Sequence, residues 1–131
     1  MKNNTFNLNG SITIYYNNEI LMGSLQYRLL NLVLTDSTLN KVTEDLNLSK
    51  QKAIVLINTM NKLAPYPVAD MDKAKHENHY RITDFGMRLL SSYAQKEFDF
   101  YKFMKKSDEH LNNSFMNCNE EKNALSSSLY A

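Results

Sequence analysis

At 131 residues, with 43% apolar residues and only three glycines and two prolines, the chain is long enough to bury one core and hardly two. Its formal net charge of +1 excludes a global electrostatic pull on a polyanion, so a nucleic-acid partner must be argued from where the charges sit. A lone cysteine, Cys118, excludes an internal disulfide framework and fits a reducing compartment, and a start without an apolar signal core, MKNNTFNLNG, predicts a cytoplasmic protein with no membrane segment.

In chain order, residues 1–10 are polar and Asn-rich, a frayed lead-in. Ile12-Thr13-Ile14-Tyr15-Tyr16 is β-branched and aromatic, and the turn-prone pair Asn17-Asn18 with a short apolar return predicts a small hairpin through Leu21. Ser24 is placed to cap a helix with Leu25, Leu29, Leu32 and Val33 inward, fading at Thr35-Asp36-Ser37.

The most informative stretch follows, LNKVTEDLNLSKQKAIVLINTMNKL, from Leu39 to Leu63. Val42 and Leu46 precede Asn47, and Leu48, Ala53 and Leu56 follow it, a spacing that locks two short helices across a tight turn. Asn tolerates the left-handed backbone there. Ser49 is expected to cap the second helix, with Lys50, Gln51 and Lys52 in its exposed first turn. Ala64-Pro65-Tyr66-Pro67 stops that helix, because proline lacks the N–H and clashes with the preceding turn. Two strands, Val68-Ala69 and His79 to Thr83, then flank the polar loop Asp70 to Asn78. Thr83-Asp84 opens a long helix to about Lys106, with Phe85, Leu89, Leu90, Tyr93, Ala94, Phe98 and Tyr101 at steps of three or four. Such a helix is roughly 35 Å long, more than a small core covers, so part of its aromatic stripe needs another partner. The expected organisation is one domain over 1–106 and a polar, flexible tail over 107–131.

The order helix, helix, helix, hairpin predicts a mainly α fold with small β hairpins, a winged helix-turn-helix with a long C-terminal helix. In this architecture the second helix of the pair enters the major groove. Lys50 and Lys52 would reach phosphates, Ser49 and Gln51 would face bases, with Gln51 suited to adenine, and Val55 would touch a thymine methyl. In the wing Lys73, Lys75 and Arg81 would lie near the backbone, though Asp70, Asp72 and Glu77 oppose them. From Leu39 to Ile82 seven Lys or Arg stand against five Asp or Glu, so the positive charge is local and mild. His76 and His79 with the nearby carboxylates lack the Cys/His framework of a structural metal site. No phosphate loop, nucleophile elbow or tuned carboxylate pair is present, so no enzyme, cofactor or metal is expected. Cys118 reads as an incidental thiol in a polar tail.

From Leu8 to about Phe103 the pieces LNGSITIYYNNEIL, TLNKVTEDLNLSKQKAIVLINTMNKL and ITDFGMRLLSSY resemble the N-terminal winged-helix domain of the ModE-type molybdate-responsive transcription regulators, which is similar in turn to the DNA-binding domain of LysR-type regulators. In the last piece Ile82, Thr83, Gly86, Leu89 and Leu90 carry the likeness. The resemblance implies a homodimer, joined through the N-terminal hairpin, the first helix and the long last helix, on an inverted repeat of duplex DNA. It implies a place in the bacterial cytoplasm, on the nucleoid when DNA is bound. The family's wing is Gly-rich and basic, whereas this loop has no glycine. About 28 residues follow the matched region, too few for a molybdate-binding domain, so the expectation is a stand-alone DNA-binding half. The competing expectation is a winged-helix interaction or assembly module that has lost DNA binding, favoured by the acidic wing.

Overall fold

A computed structural model describes residues 5–36, 38–72 and 79–116. It shows a winged helix-turn-helix: strands β1 (Ile14–Tyr16) and β2 (Glu19–Met22), helices α1 (Ser24–Thr35), α2 (Asn40–Leu46) and α3 (Lys50–Leu63), strands β3 (Ala69–Met71) and β4 (Tyr80–Ile82), and a long helix α4 (Asp84–Met116). The chain forms two compact units, one over Ser11–Glu97 and the other joining the residues up to Gly10 with those from Phe98 onward.

Within the larger unit β1 and β2 pair antiparallel across Asn17 and Asn18, whose φ angles of 50° and 65° make the two-residue turn that follows the right-handed strand twist. Gly23, not Ser24, is the N-cap of α1, and its N–H donates to Gln26 Oε1 at 3.0 Å. Helix α1 turns Leu29, Leu30 and Val33 inward, while Leu25 stays exposed and Leu32 half-buried. Leu25, expected inward, is thus on the surface, and Leu30 takes a place in the buried stripe instead.

Asp36 shapes the corner into α2. Its carboxylate accepts from Thr38 Oγ1 at 2.5 Å, Thr38 N at 3.0 Å and Lys41 N at 3.1 Å. The Thr38 hydroxyl first, then the two backbone N–H groups, holds this carboxyl below the usual range. The carboxylate supplies the cap that Leu39, the N-cap residue itself, cannot. Leu39 has a left-handed backbone, φ 68°, a conformation costing about 1–2 kcal/mol outside glycine, which complete burial of its side chain offsets.

The core of this unit gathers Met22, Leu29, Leu30, Val33, Leu39, Val42, Ala53, Ile57, Met60, Val68 and Tyr93 between α1, α3 and the start of α4. Tyr93 is fully buried, its ring centroid 4.7 Å from that of Tyr27, and its hydroxyl donates to the Ile12 carbonyl at 3.0 Å. Burial, and then the nearby Glu97 and Tyr27, pushes that hydroxyl's pKa up, so it remains a neutral donor.

Thr83 and Gly86 seat α4 on the wing. Thr83 Oγ1 caps the helix by accepting from Gly86 N at 3.0 Å and donates to the Pro67 carbonyl at 2.6 Å, while Thr83 N donates to the Val68 carbonyl at 3.1 Å. A Cβ on Gly86 would lie 2.1 Å from that Val68 oxygen, so only glycine allows the approach.

In the smaller unit α4 does not stop near Lys106 but runs to Met116, and the residues expected as a frayed lead-in are tied to it. Asn112 accepts from Phe6 N at 2.8 Å and donates to the Phe6 carbonyl at 2.9 Å, serving the extended backbone as a neighbouring strand would. Leu8 N donates to Asp108 at 2.5 Å, and the Phe6 and Phe115 rings lie 4.6 Å apart. The spread of Asn and Ser over 107–116 hides this helix from propensity alone, because what holds it is pairing with a distant segment. Residues 117–131, including Cys118, lie outside the described residues.

Candidate nucleic-acid interface

The interface is built on the α2–α3 turn. Asn47 ends α2 in the left-handed conformation, φ 54° and ψ 39°, and Ser49 caps α3 by accepting from Lys52 N at 3.1 Å. Leu46 and Leu48 are half-buried on either side of the bend. Ala53, Ile57 and Met60 face the core.

At about 100° per residue, the opposite face of α3 carries Gln51, Val55, Asn58 and Lys62 in one stripe roughly 60° wide, with Lys52 and Thr59 along one edge. All six are exposed. Ser49 and Lys50 are exposed at the N-terminal end of the same helix. Val55 is 56% exposed, an apolar β-branched side chain in the middle of a polar face. Ser49, Lys50, Gln51, Lys52 and Val55 therefore share one accessible end of α3. Asn58 and Lys62 extend the stripe beyond the residues that the sequence reading named, although their spacing from Gln51 and Val55 shows them.

The wing is held against α3 by a side chain the motif reading passed over. Asn61 Oδ1 accepts from Val68 N at 2.7 Å and Ala69 N at 3.2 Å, and its Nδ2 donates to the Ala69 carbonyl at 2.8 Å. Together with Thr83 on the Pro67 and Val68 carbonyls, it pairs the backbone polar groups where the chain leaves α3 and enters β3. Beyond it, β3 and β4 pair Ala69 with Ile82, Asp70 with Arg81 and Met71 with Tyr80. Tyr80 is buried, and that burial pushes its hydroxyl's pKa up.

Arg81, the described basic residue of the wing, meets Asp70 across the ladder at 3.8 Å, with the Arg81 side chain largely exposed and that of Asp70 half-buried. Lys73, Lys75 and His76 lie outside the described residues. Among the described residues no three His, Cys, Asp or Glu side chains converge as a metal site, and no helix is long and apolar enough to cross a membrane.

A tight two-helix turn, an exposed polar face on its second helix and a hairpin fastened to that helix define a winged helix-turn-helix protein. Over 92 residues the chain is 27% identical to the molybdenum transport protein ModE of Azotobacter vinelandii. The match covers 70% of this chain and 34% of that protein, so the chain spans about a third of its relative's length. No family model matches the chain.

Proposed function

We propose that this protein is a regulator of transcription that binds duplex DNA in a sequence-specific manner as a homodimer, with residues 49–63 in the major groove of each half-site. The exposed stripe of α3, opposite its core face and beside the capped N-terminus, is the observation that carries the reading. A helix presented in this way fits the major groove, where Lys50 and Lys52 meet phosphates, Ser49 and Gln51 face base edges and Val55 meets a thymine methyl. Lys73 and Lys75 are assigned to the backbone beside the groove, and Arg81 reaches it in competition with Asp70. The likeness to ModE supports a regulator, and the reading asks for no catalytic residue and no cofactor. It places the protein in the cytoplasm, on the nucleoid when DNA is bound.

The dimer rests on uncovered apolar surface. Tyr15 and Ile20 on the first hairpin are 60% and 50% exposed, and Phe98, Tyr101 and Phe103 on α4 are 54%, 52% and 61% exposed. A second copy seated on these elements would take their apolar side chains out of water. Two-fold symmetry then requires an inverted repeat with half-sites about one helical turn apart, or a multiple of it.

Mobility shifts with fragments from around the protein's own gene test the proposal. One fragment bound more tightly than bulk DNA at physiological salt is the expected result, and uniform weak binding to all of them defeats it. Sedimentation at micromolar concentration tests the dimer separately, and a monomer there removes it.

The acidic wing favours a second reading, a winged-helix assembly module that has lost DNA binding. It predicts that alanine at Lys50, Gln51 and Lys52 leaves the weak DNA affinity unchanged, whereas the regulator loses its preferred fragment.

A further inference from the structure

We propose that Asp70 restrains the grip of this protein on DNA of any sequence, by neutralising Arg81 and keeping the described strands of the wing from acting as a phosphate clamp. The inference rests on the DNA-binding reading above and concerns the wing of that same interface.

Asp70 and Arg81 occupy partner positions in the β3–β4 ladder, so the backbone itself sets them side by side. Their charged ends are 3.8 Å apart. Asp84, in the first turn of α4, lines the same cleft as Asp70 and Arg81. One guanidinium thus shares its surroundings with two carboxylates, and a phosphate approaching this cleft meets a net negative charge. The strength of the ion pair is not what matters, since exposed pairs contribute only about 0–1 kcal/mol and exchange readily. What matters is that breaking the pair leaves Asp70 in place, well within the ~8 Å screening length at physiological salt.

Removing one carboxylate lets Arg81 neutralise one phosphate per wing. Each phosphate neutralised steepens the dependence of log K on log salt by about 0.9, which corresponds to roughly fivefold tighter binding per wing at 0.15 M salt relative to 1 M. Because phosphates carry no sequence information, the gain is equal for preferred and unrelated DNA.

The test compares wild type, Asp70→Asn, Arg81→Gln and the double variant, all as the full chain and checked for an unchanged circular dichroism spectrum. Each is titrated by anisotropy between about 50 and 200 mM salt against two probes, a duplex recovered by selection with the wild-type protein and a mixed-sequence duplex. Asp70→Asn is expected to steepen the slope by about 0.9 per wing on both probes, and to do so only where Arg81 is present, so that the double variant shows the slope of Arg81→Gln alone. An unchanged slope for Asp70→Asn, or an equal steepening by Asp70→Asn in the Arg81→Gln background, overturns the inference while wild-type selectivity still supports the regulator. If selection with the wild type yields no duplex that it prefers, the regulator fails and this inference falls with it.

Discussion

Replacing Gly86 by alanine sets two effects against each other, and the structure decides the sign. In an ordinary exposed helical position the change stabilises a protein by up to about 1 kcal/mol. Here the added Cβ would lie 2.1 Å from the Val68 carbonyl oxygen, 2.8 Å from Ile82 Cγ2 and 3.1 Å from the Val68 carbonyl carbon. Two of the three are backbone atoms, so no flexible side chain can swing away. The helix start must move, and the 3.1 Å bond from Thr83 N to the same carbonyl lengthens with it. Overpacking costs about 1–3 kcal/mol, and the weakened hydrogen bond about 1 more. After the helical gain is subtracted, Gly86→Ala is expected to destabilise by about 1–3 kcal/mol, or roughly 4–11 °C in Tm for a chain of this size. Urea unfolding followed by circular dichroism measures it, as a lower midpoint at an unchanged slope. A neutral or stabilised variant would refute the close approach of α4 to the wing.

Asn61→Ala removes all three hydrogen bonds that hold the start of β3. It should cost about 2–3 kcal/mol and speed amide exchange at Val68 and Ala69 ahead of the core, so unchanged exchange there argues against the clamp. Asn47→Val places a β-branched residue in the left-handed turn and should cost about 1–2 kcal/mol, whereas Asn47→Gly should change stability by only a few tenths. Comparable urea midpoints for the two variants would contradict the assigned turn. The depressed pKa of Asp36 makes its contribution complete above the ordinary carboxyl value of about 3.9 and loses it as pH falls through the lower folded value. Asp36→Asn should therefore show a shallower loss of stability in acid than the wild type, and parallel curves would remove the assigned role.

Those positions also mark what the sequence makes legible. Asn47 with its flanking leucines, the Asn17-Asn18 pair, the Pro65–Pro67 stop and the Thr83-Asp84 helix start are local signals, and all four features stand in the structure. The order of elements built from them gives the winged helix. Leu39 as a left-handed cap is illegible, because its conformation is held by burial and by Asp36 rather than by its own preference. The work of Asn61 and Asn112 is hidden for a related reason: an Asn in a helix reads as a weak helix former until the distant backbone it serves is seen. In the candidate interface, spacing places Lys50, Gln51, Lys52 and Val55 at one accessible end of α3, and carrying the same period onward reaches Asn58 and Lys62. The pairing of Arg81 with Asp70 depends on strand register, which a Gly-free loop does not announce.

Whether α3 reads DNA is measured most directly by the salt dependence of binding to a selected duplex for wild type, Lys50→Ala/Lys52→Ala and Gln51→Ala. The double lysine variant should flatten the log K against log salt slope by about 1.8 per protomer on every sequence, and Gln51→Ala should cost about 1–3 kcal/mol on the preferred duplex alone. A slope that ignores both lysines, together with equal affinity of the Gln51 variant for preferred and unrelated DNA, would contradict a reading role for α3.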